Sequence, residues 1–427
     1  MLYRLQTLFK TDSFRQVSLY TITGTLTKII SFAALPFFVN TLSEGDIGIL
    51  NIFNSSIVFL TPIISMGALY TISVDYFKLT KPDYATVFST SLLIPVVVSL
   101  LLIPLFFIFW QPLSKAFSFQ RQFLWLIPVC LFLNFCFEAF IILLRVQNKV
   151  KLFATVTLLK IVVEITLAII LILFAYQSWY SRALGYFISI LTIGFLFFFY
   201  IKKNSFLVSK FDFRILKKEL LFGLSGLLLQ TAVFFINTSD KFFVMAHFGK
   251  AQAGFYSIAG TFATIQYIVS ASLMNYLQPV LFTKFSEKKT WRNIKGIYIK
   301  YIMAMLVTSV GLFFFSIIIY HYLLKPSYRE YIHYFYLLCI SSLIWSVSNI
   351  FLQPIIFNKR KRIILWLSLF SISFAFVINY CTSQYLSINW LCAGQILTNT
   401  FVFGLIIFYC KKVRCQCPHN RHSCCVC

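Results

Sequence analysis

Six ionisable residues fall inside long apolar runs: Lys28, Glu138, Lys160, Glu164, Asp240 and Lys241. A charge in hydrocarbon is costly, so such groups face a cavity or one another. Lys160 and Glu164 are four residues apart and share one helix face. Glu138 lies seven residues before Arg145, on the same face, with Arg145 at the run's end where its guanidinium can snorkel to the interface. Glu138 and Lys160 are about equally far from the same membrane surface on consecutive helices, so they can pair. Glu164 and Lys28 share a second depth. Lys28, Glu138, Lys160 and Glu164 are therefore expected to form a charged lining, either of a substrate cavity or of a closed ion-pair network.

Two polar stripes accompany these charges. One runs through Asn51, Asn54, Ser55, Thr61 and Ser65, the other through Ser257, Gly260, Thr261, Thr264, Asn275 and Gln278. Small polar stripes either let helices approach closely or line a wet pathway. On the second reading Asn51, Asn54, Asn275 and Gln278 line the cavity. Prolines at 36, 62, 95, 104, 128, 279 and 354 each remove a backbone hydrogen bond and permit a bend.

No catalytic constellation is recognisable. The chain has no Gly-x-x-x-x-Gly-Lys-Ser/Thr phosphate loop, no Gly-x-Ser-x-Gly elbow and no His-Glu-x-x-His pair, and it holds only five His. The last residues hold Cys415, Cys417, Cys424, Cys425, Cys427, His419 and His422 without a pair of C-x-x-C motifs. No metal, cofactor or enzymatic activity is expected.

The elements that must carry these residues are membrane helices. Of 427 residues, 59% are hydrophobic and 11% charged, against about 25% charged in soluble domains. Twelve runs satisfy the roughly 20 apolar residues that a span needs: 18–40, 47–72, 86–110, 122–144, 153–176, 183–201, 220–244, 254–283, 299–324, 332–357, 363–381 and 389–410. Of the 37 Lys and Arg, 28 fall in the two tails and the even-numbered connections. Six fall in the odd-numbered connections and three inside spans. By the positive-inside rule both termini face the cytoplasm. The net charge of +25 then reports topology and attraction to anionic lipids rather than nucleic acid. The expected organisation is a cytoplasmic tail (1–17), a six-helix bundle (18–201), a basic linker (202–219), a second six-helix bundle (220–410) and a Cys/His-rich cytoplasmic tail (411–427). The fold class is an all-α polytopic membrane protein.

The halves share a pattern. FVNTLSEGDIGILN (38–51) and FVMAHFGKAQAGFYS (243–257) both close one helix and open the next through a short polar link and a glycine. Six spans per half predict parallel repeats. With GTLTKIISFAALPFFVNTLSEGDIGILN (24–51), Gly67 with Tyr70 and Asp75, and Asp240-Lys241-Phe-Phe-Val followed by Gly254-Phe-Tyr-Ser-Ile-Ala up to Pro279, the chain resembles bacterial oligosaccharide flippases of the Wzx type. These are relatives of the multidrug and toxic-compound extruders (MATE). The resemblance covers residues 1–410. It implies a MATE-like fold of two bundles in a V around a cavity that opens to each side in turn, in the bacterial inner membrane. It implies a lipid-linked oligosaccharide substrate on undecaprenyl diphosphate, for O-antigen, capsule or exopolysaccharide. On this resemblance Lys28, Lys160 and Lys241 are the candidates to hold the anionic diphosphate, and Glu164 or Asp240 to bind H+ or Na+ as coupling ion, with polymerase and chain-length proteins of the same pathway as partners. The alternatives are a drug extruder of the same fold, which acidic groups favour, and a polymerase or ligase, which needs larger outer loops than this chain has.

Overall fold

The computed structural model of the chain describes residues 12–77, 79–117, 123–208, 213–287, 291–358 and 361–415. The first eleven residues, the tail from residue 416 on with four of its cysteines and both histidines, and several loop cations (Lys78, Arg121 and Lys210 among them) lie outside the described residues. Every regular element among the described residues is helical. The chain divides into two compact units, Met1–Leu227 and Leu228–Cys427.

The first unit contains α1 (Asp12–Thr41), α2 (Glu44–Ser65), α3 (Ala68–Asp75), α4 (Lys81–Ile108), α5 (Trp110–Phe117), α6 (Leu126–Val146), α7 (Val150–Phe174) and α8 (Trp179–Lys203). The division falls inside α9 (Phe213–Asn237), beyond the basic stretch 202–219. The expected second span, 47–72, breaks at Met66–Gly67, both at positive φ. The Met66 N–H still reaches Pro62 O, and the left-handed pair ends α2 before α3 begins.

The second unit continues with α10 (Asp240–Ser286), α11 (Trp291–Ile318) and its π-helical end (Ile319–Leu323), α12 (Pro326–Arg329), α13 (Ile332–Phe357), α14 (Lys361–Tyr385) and α15 (Ile388–Cys415). As one straight rod α10 would run about 70 Å, over twice the hydrocarbon thickness. It is not straight: Gly249, at φ 83° and ψ 176°, breaks it. The Tyr256 hydroxyl donates to Asp240 Oδ2 across that break. Residues sixteen apart on a continuous helix could not meet, so 240–248 and 250–286 form a hairpin. Among the described residues eleven stretches are long and apolar enough to cross a membrane, and one of them, Gln230–Ser286, contains this hairpin. Counted as two crossings, it brings the total to twelve.

The expected seventh span, 220–244, is also interrupted. Thr238 and Ser239 form a turn whose N–H groups both reach Phe234 O. Asp240 therefore opens a new helical segment instead of lying near the end of an unbroken one.

Within the first unit α6 and α8 pack on each other and on α2, and α1 packs along α7. Their shared core is aliphatic and aromatic: Ile52, Phe53, Leu126, Ile127, Phe140, Leu144 and Phe197 are buried. Within the second unit α13 is central, packing on α10, α11 and α15. Gln266 Nε2 donates to Met305 O at 2.9 Å, and the Tyr301 hydroxyl donates to Ser346 O at 2.8 Å. These bonds tie α10 to α11 and α11 to α13 where no water competes.

Candidate functional site

The first unit holds a charged cluster built on α6, α7 and α8. Lys160 and Glu164, one turn apart on α7, form a salt bridge of 3.1 Å. The Lys160 ammonium lies 4.9 Å from the Tyr186 ring centroid and 5.5 Å from that of Phe137. Both are within cation–π range. The Tyr186 hydroxyl donates to Asn134 Oδ1 at 3.1 Å, which holds that ring in place. Glu138, on α6, is within electrostatic reach of Lys160 and Arg145. Arg145 is exposed, its guanidinium 5.4 Å from the Phe153 ring.

Arg182 completes the cluster. Its guanidinium carbon is 3.7 Å from the Phe38 ring centroid. Its Nη2 is 3.9 Å from Glu164 Oε1, longer than the 2.7–2.9 Å of a tight charge-assisted bond. Its Nη1 is buried with no hydrogen-bond partner. The backbone explains how Arg182 reaches this place. Ser178 caps α8, and Asp46 Oδ1, at the start of α2, accepts the Trp179 N–H at 3.0 Å. The helix thus begins four residues before the expected boundary at 183, and Arg182 sits on its first turn. Gly185 lets α8 lie against α7. A Cβ there would be 2.8 Å from Ala168 N and 2.9 Å from Glu164 O.

The expected partner of Glu164 was Lys28. The carboxylate is instead shared by Lys160 and Arg182, and Lys28 is exposed on α1. Sequence reading missed Arg182 because it counted that residue among the loop cations. Its place four residues before Tyr186 was the available signal.

In the second unit Asp240 is buried, 4% exposed. Oδ2 accepts the Tyr256 hydroxyl and Oδ1 the Lys241 N–H at 3.0 Å. Lys241 runs beside Gly260, whose Cβ position is 3.9 Å from Lys241 Cε, an ordinary contact distance. Beside Asp240, Ser239 Oγ accepts from Asn379 Nδ2 at 3.0 Å, and Asn379 Oδ1 accepts from Gln395 Nε2 at 2.9 Å. Tyr256, Asn379 and Gln395 were not among the expected site residues. The two amides inside apolar spans were a readable signal; Tyr256 was not, since only the hairpin at Gly249 brings it to Asp240.

The stripe residues divide. Ser55 and Ser257 are buried within their own bundles, whereas Asn54 and Asn275 are exposed, and Asn51 and Gln278 are half-buried. Among the described residues no group of three His, Cys, Asp or Glu is placed to hold a metal ion.

A family model for polysaccharide biosynthesis proteins matches residues 38–292. The chain belongs to the polysaccharide biosynthesis protein family. The matched region contains the α6–α8 cluster and the Asp240–Tyr256 hairpin of this polysaccharide biosynthesis protein. No curated protein matches it. Among solved structures it is similar to a multidrug-resistance MATE transporter of the MOP superfamily. The inward-facing form gives a TM-score of 0.67 at 14% identity, covering 94% of this chain and 99% of that one. The outward-facing form gives 0.58 at 15%, covering 94% and 96%. A MOP-superfamily transporter from Pyrococcus furiosus, described as having a binding pocket of reversed polarity, gives 0.58 at 14%, also covering 94% and 96%. The fold of this family member is therefore that of the MATE transporters.

Proposed function

We propose that this protein is a flippase that moves an undecaprenyl-diphosphate-linked oligosaccharide from the cytoplasmic to the outer leaflet of the bacterial inner membrane by alternating access, with both termini cytoplasmic. Membership in the polysaccharide biosynthesis family and the transporter fold support this reading. The observation that carries it is the Arg182 guanidinium: a loosely paired cation in a membrane bundle, with one buried nitrogen lacking a partner. An unpaired buried donor beside a charge is costly, and an anionic oxygen would satisfy it. Lys160 and Arg182 share the Glu164 carboxylate, so a diphosphate can be drawn by Arg182 without opening the Lys160–Glu164 bridge. Exposed Lys28 and Asn54 in the first unit, and exposed Asn275 in the second, have no place against lipid tails, and each suits a wet surface. Asp240, buried with Tyr256, is the group we assign to a coupling H+ or Na+.

A drug extruder of the same fold is the second reading, favoured by the carboxylates Glu164 and Asp240. The test is the sidedness of lipid-linked oligosaccharide in cells from which the gene has been removed. Accumulation on the cytoplasmic leaflet, reversed by the wild-type chain but not by Arg182→Gln, is expected. Normal sidedness with raised sensitivity to cationic drugs would favour the extruder, and normal sidedness with short or unattached surface glycan would favour an enzyme.

A further inference from the structure

Away from the charged cluster, the first unit has a cavity of about 940 Å³ at the end of its bundle where the basic connections gather. Its walls come from three chain segments: the α3–α4 connection with the start of α4, the α6–α7 turn and the stretch after α8. Two of these walls are built alike. α6 closes with Lys149 N–H on Leu144 O at 2.9 Å and Asn148 at φ 55°. α8 closes with Phe206 N–H on Ile201 O at 3.0 Å and Ser205 at φ 55°. This is the six-to-one bond of a Schellman turn, made here by residues other than glycine. Ser89 then pins the third wall, its Oγ donating to Phe206 O at 3.0 Å and accepting the Val208 N–H at 2.9 Å. The cavity is therefore formed by fixed backbone.

Its lining pairs cations with an aromatic floor. Tyr84 is buried, its hydroxyl donating to Ile72 O, with Tyr76 and Phe206 edge-on to its ring at 5.2 and 5.9 Å. Lys81 is exposed at the start of α4. The Lys149 ammonium donates to the Tyr200 hydroxyl at 2.6 Å, and that hydroxyl in turn donates to Gln147 Oε1. An ammonium has three donors, so the Tyr200 bond aims Lys149 without exhausting it. Asp83 is the one acidic side chain in the lining, and the Thr80 hydroxyl donates to it at 2.6 Å.

We propose that this cavity binds a phosphate ester, presented by an anionic lipid headgroup or by a soluble phosphate, with Lys81 and Lys149 as its cations. Two ammoniums, amide and hydroxyl groups and an aromatic floor at the membrane–water boundary fit a phosphate with a small polar substituent. The proposal rests on this cavity and not on the identity of the transported substrate.

The full chain, purified in a neutral detergent, would be titrated with phosphatidylglycerol, with phosphatidylcholine and with inorganic phosphate. Binding would be read by native mass spectrometry and by thermal shift. Phosphatidylglycerol is expected to bind at least tenfold more tightly than phosphatidylcholine. Lys81→Gln/Lys149→Gln should remove that preference, and Asp83→Asn should raise affinity severalfold. If the double variant folds poorly, Lys81→Gln alone, at an exposed position, should still weaken binding. Inorganic phosphate saturating with the same dependence on Lys81 would identify a soluble ligand. Lys202→Gln/Lys203→Gln, outside the lining, should leave binding unchanged. Equal binding by wild type and Lys81→Gln, or equal loss in the Lys202/Lys203 variant, would overturn the proposal.

Discussion

Replacing Gly185 with alanine tests how the charged cluster is held. The new Cβ would lie 2.8 Å from Ala168 N, 2.9 Å from Glu164 O and 3.0 Å from Ala168 Cβ. Two of these atoms are backbone and cannot rotate aside. Normal contact needs roughly half an ångström more, so α8 must withdraw from α7. Overpacking of this kind costs about 1–3 kcal/mol. The shift also bears on function, because α7 carries Lys160 and Glu164 while α8 carries Arg182, already 3.9 Å from Glu164. Gly311→Ala is the internal control. A Cβ at Gly311, inside α11, meets nothing within 4 Å, and alanine there is expected to stabilise the helix by about 0.5–1 kcal/mol. Thermal unfolding of the two variants in one detergent should shift in opposite directions, with translocation reduced only in Gly185→Ala. Equal melting temperatures for Gly185→Ala and wild type would refute the close-contact argument.

Substitutions at four further positions have defined outcomes. Asp46→Ala removes the acceptor of the Trp179 N–H and should lower stability by about 1–2 kcal/mol, read by thermal unfolding. Gly249→Ala and Gly249→Asn should both destabilise by about 1–3 kcal/mol, because φ 83° with ψ 176° is accessible to glycine and not to the left-handed conformation that Asn tolerates; an Asn variant as stable as wild type would contradict this. Tyr256→Phe takes a donor from buried Asp240 and should cost about 1.5–3 kcal/mol in unfolding experiments, whereas Tyr322→Phe, on an exposed side chain, should be neutral.

Much of the architecture was legible because lipid leaves the backbone few options. A run of some 20 apolar residues must be helical, so the spans could be located, and the Lys160–Glu164 contact followed from helical periodicity. Breaks within spans were harder to read. The Met66–Gly67 interruption sits in sequence about as apolar as its surroundings, the Thr238–Ser239 one lies in a polar run, Asn237 to Lys241, short enough to be bridged by the apolar residues on either side, and prolines elsewhere are carried without a break. Arg182 was hidden by a boundary placed four residues late, since the start of α8 depends on Asp46 from a distant turn. Lys28 was paired with Glu164 on depth alone. Depth fixes how far along a helix a residue lies, not which way it points around the helix, and Arg182 takes that place. The Asp240–Tyr256 contact depends on a hairpin that ordinary helical spacing does not announce.

In the proposed flippase, Arg182 receives the anionic part of a lipid-linked oligosaccharide. The most direct test of this role is translocation of a fluorescent undecaprenyl-diphosphate-linked sugar in proteoliposomes holding wild type, Arg182→Lys or Arg182→Gln at matched protein content and confirmed thermal stability. A loss of at least tenfold in rate is expected for Arg182→Gln, with partial recovery for Arg182→Lys, which keeps the charge but not the two-pronged geometry. Translocation by Arg182→Gln at the wild-type rate would contradict this role.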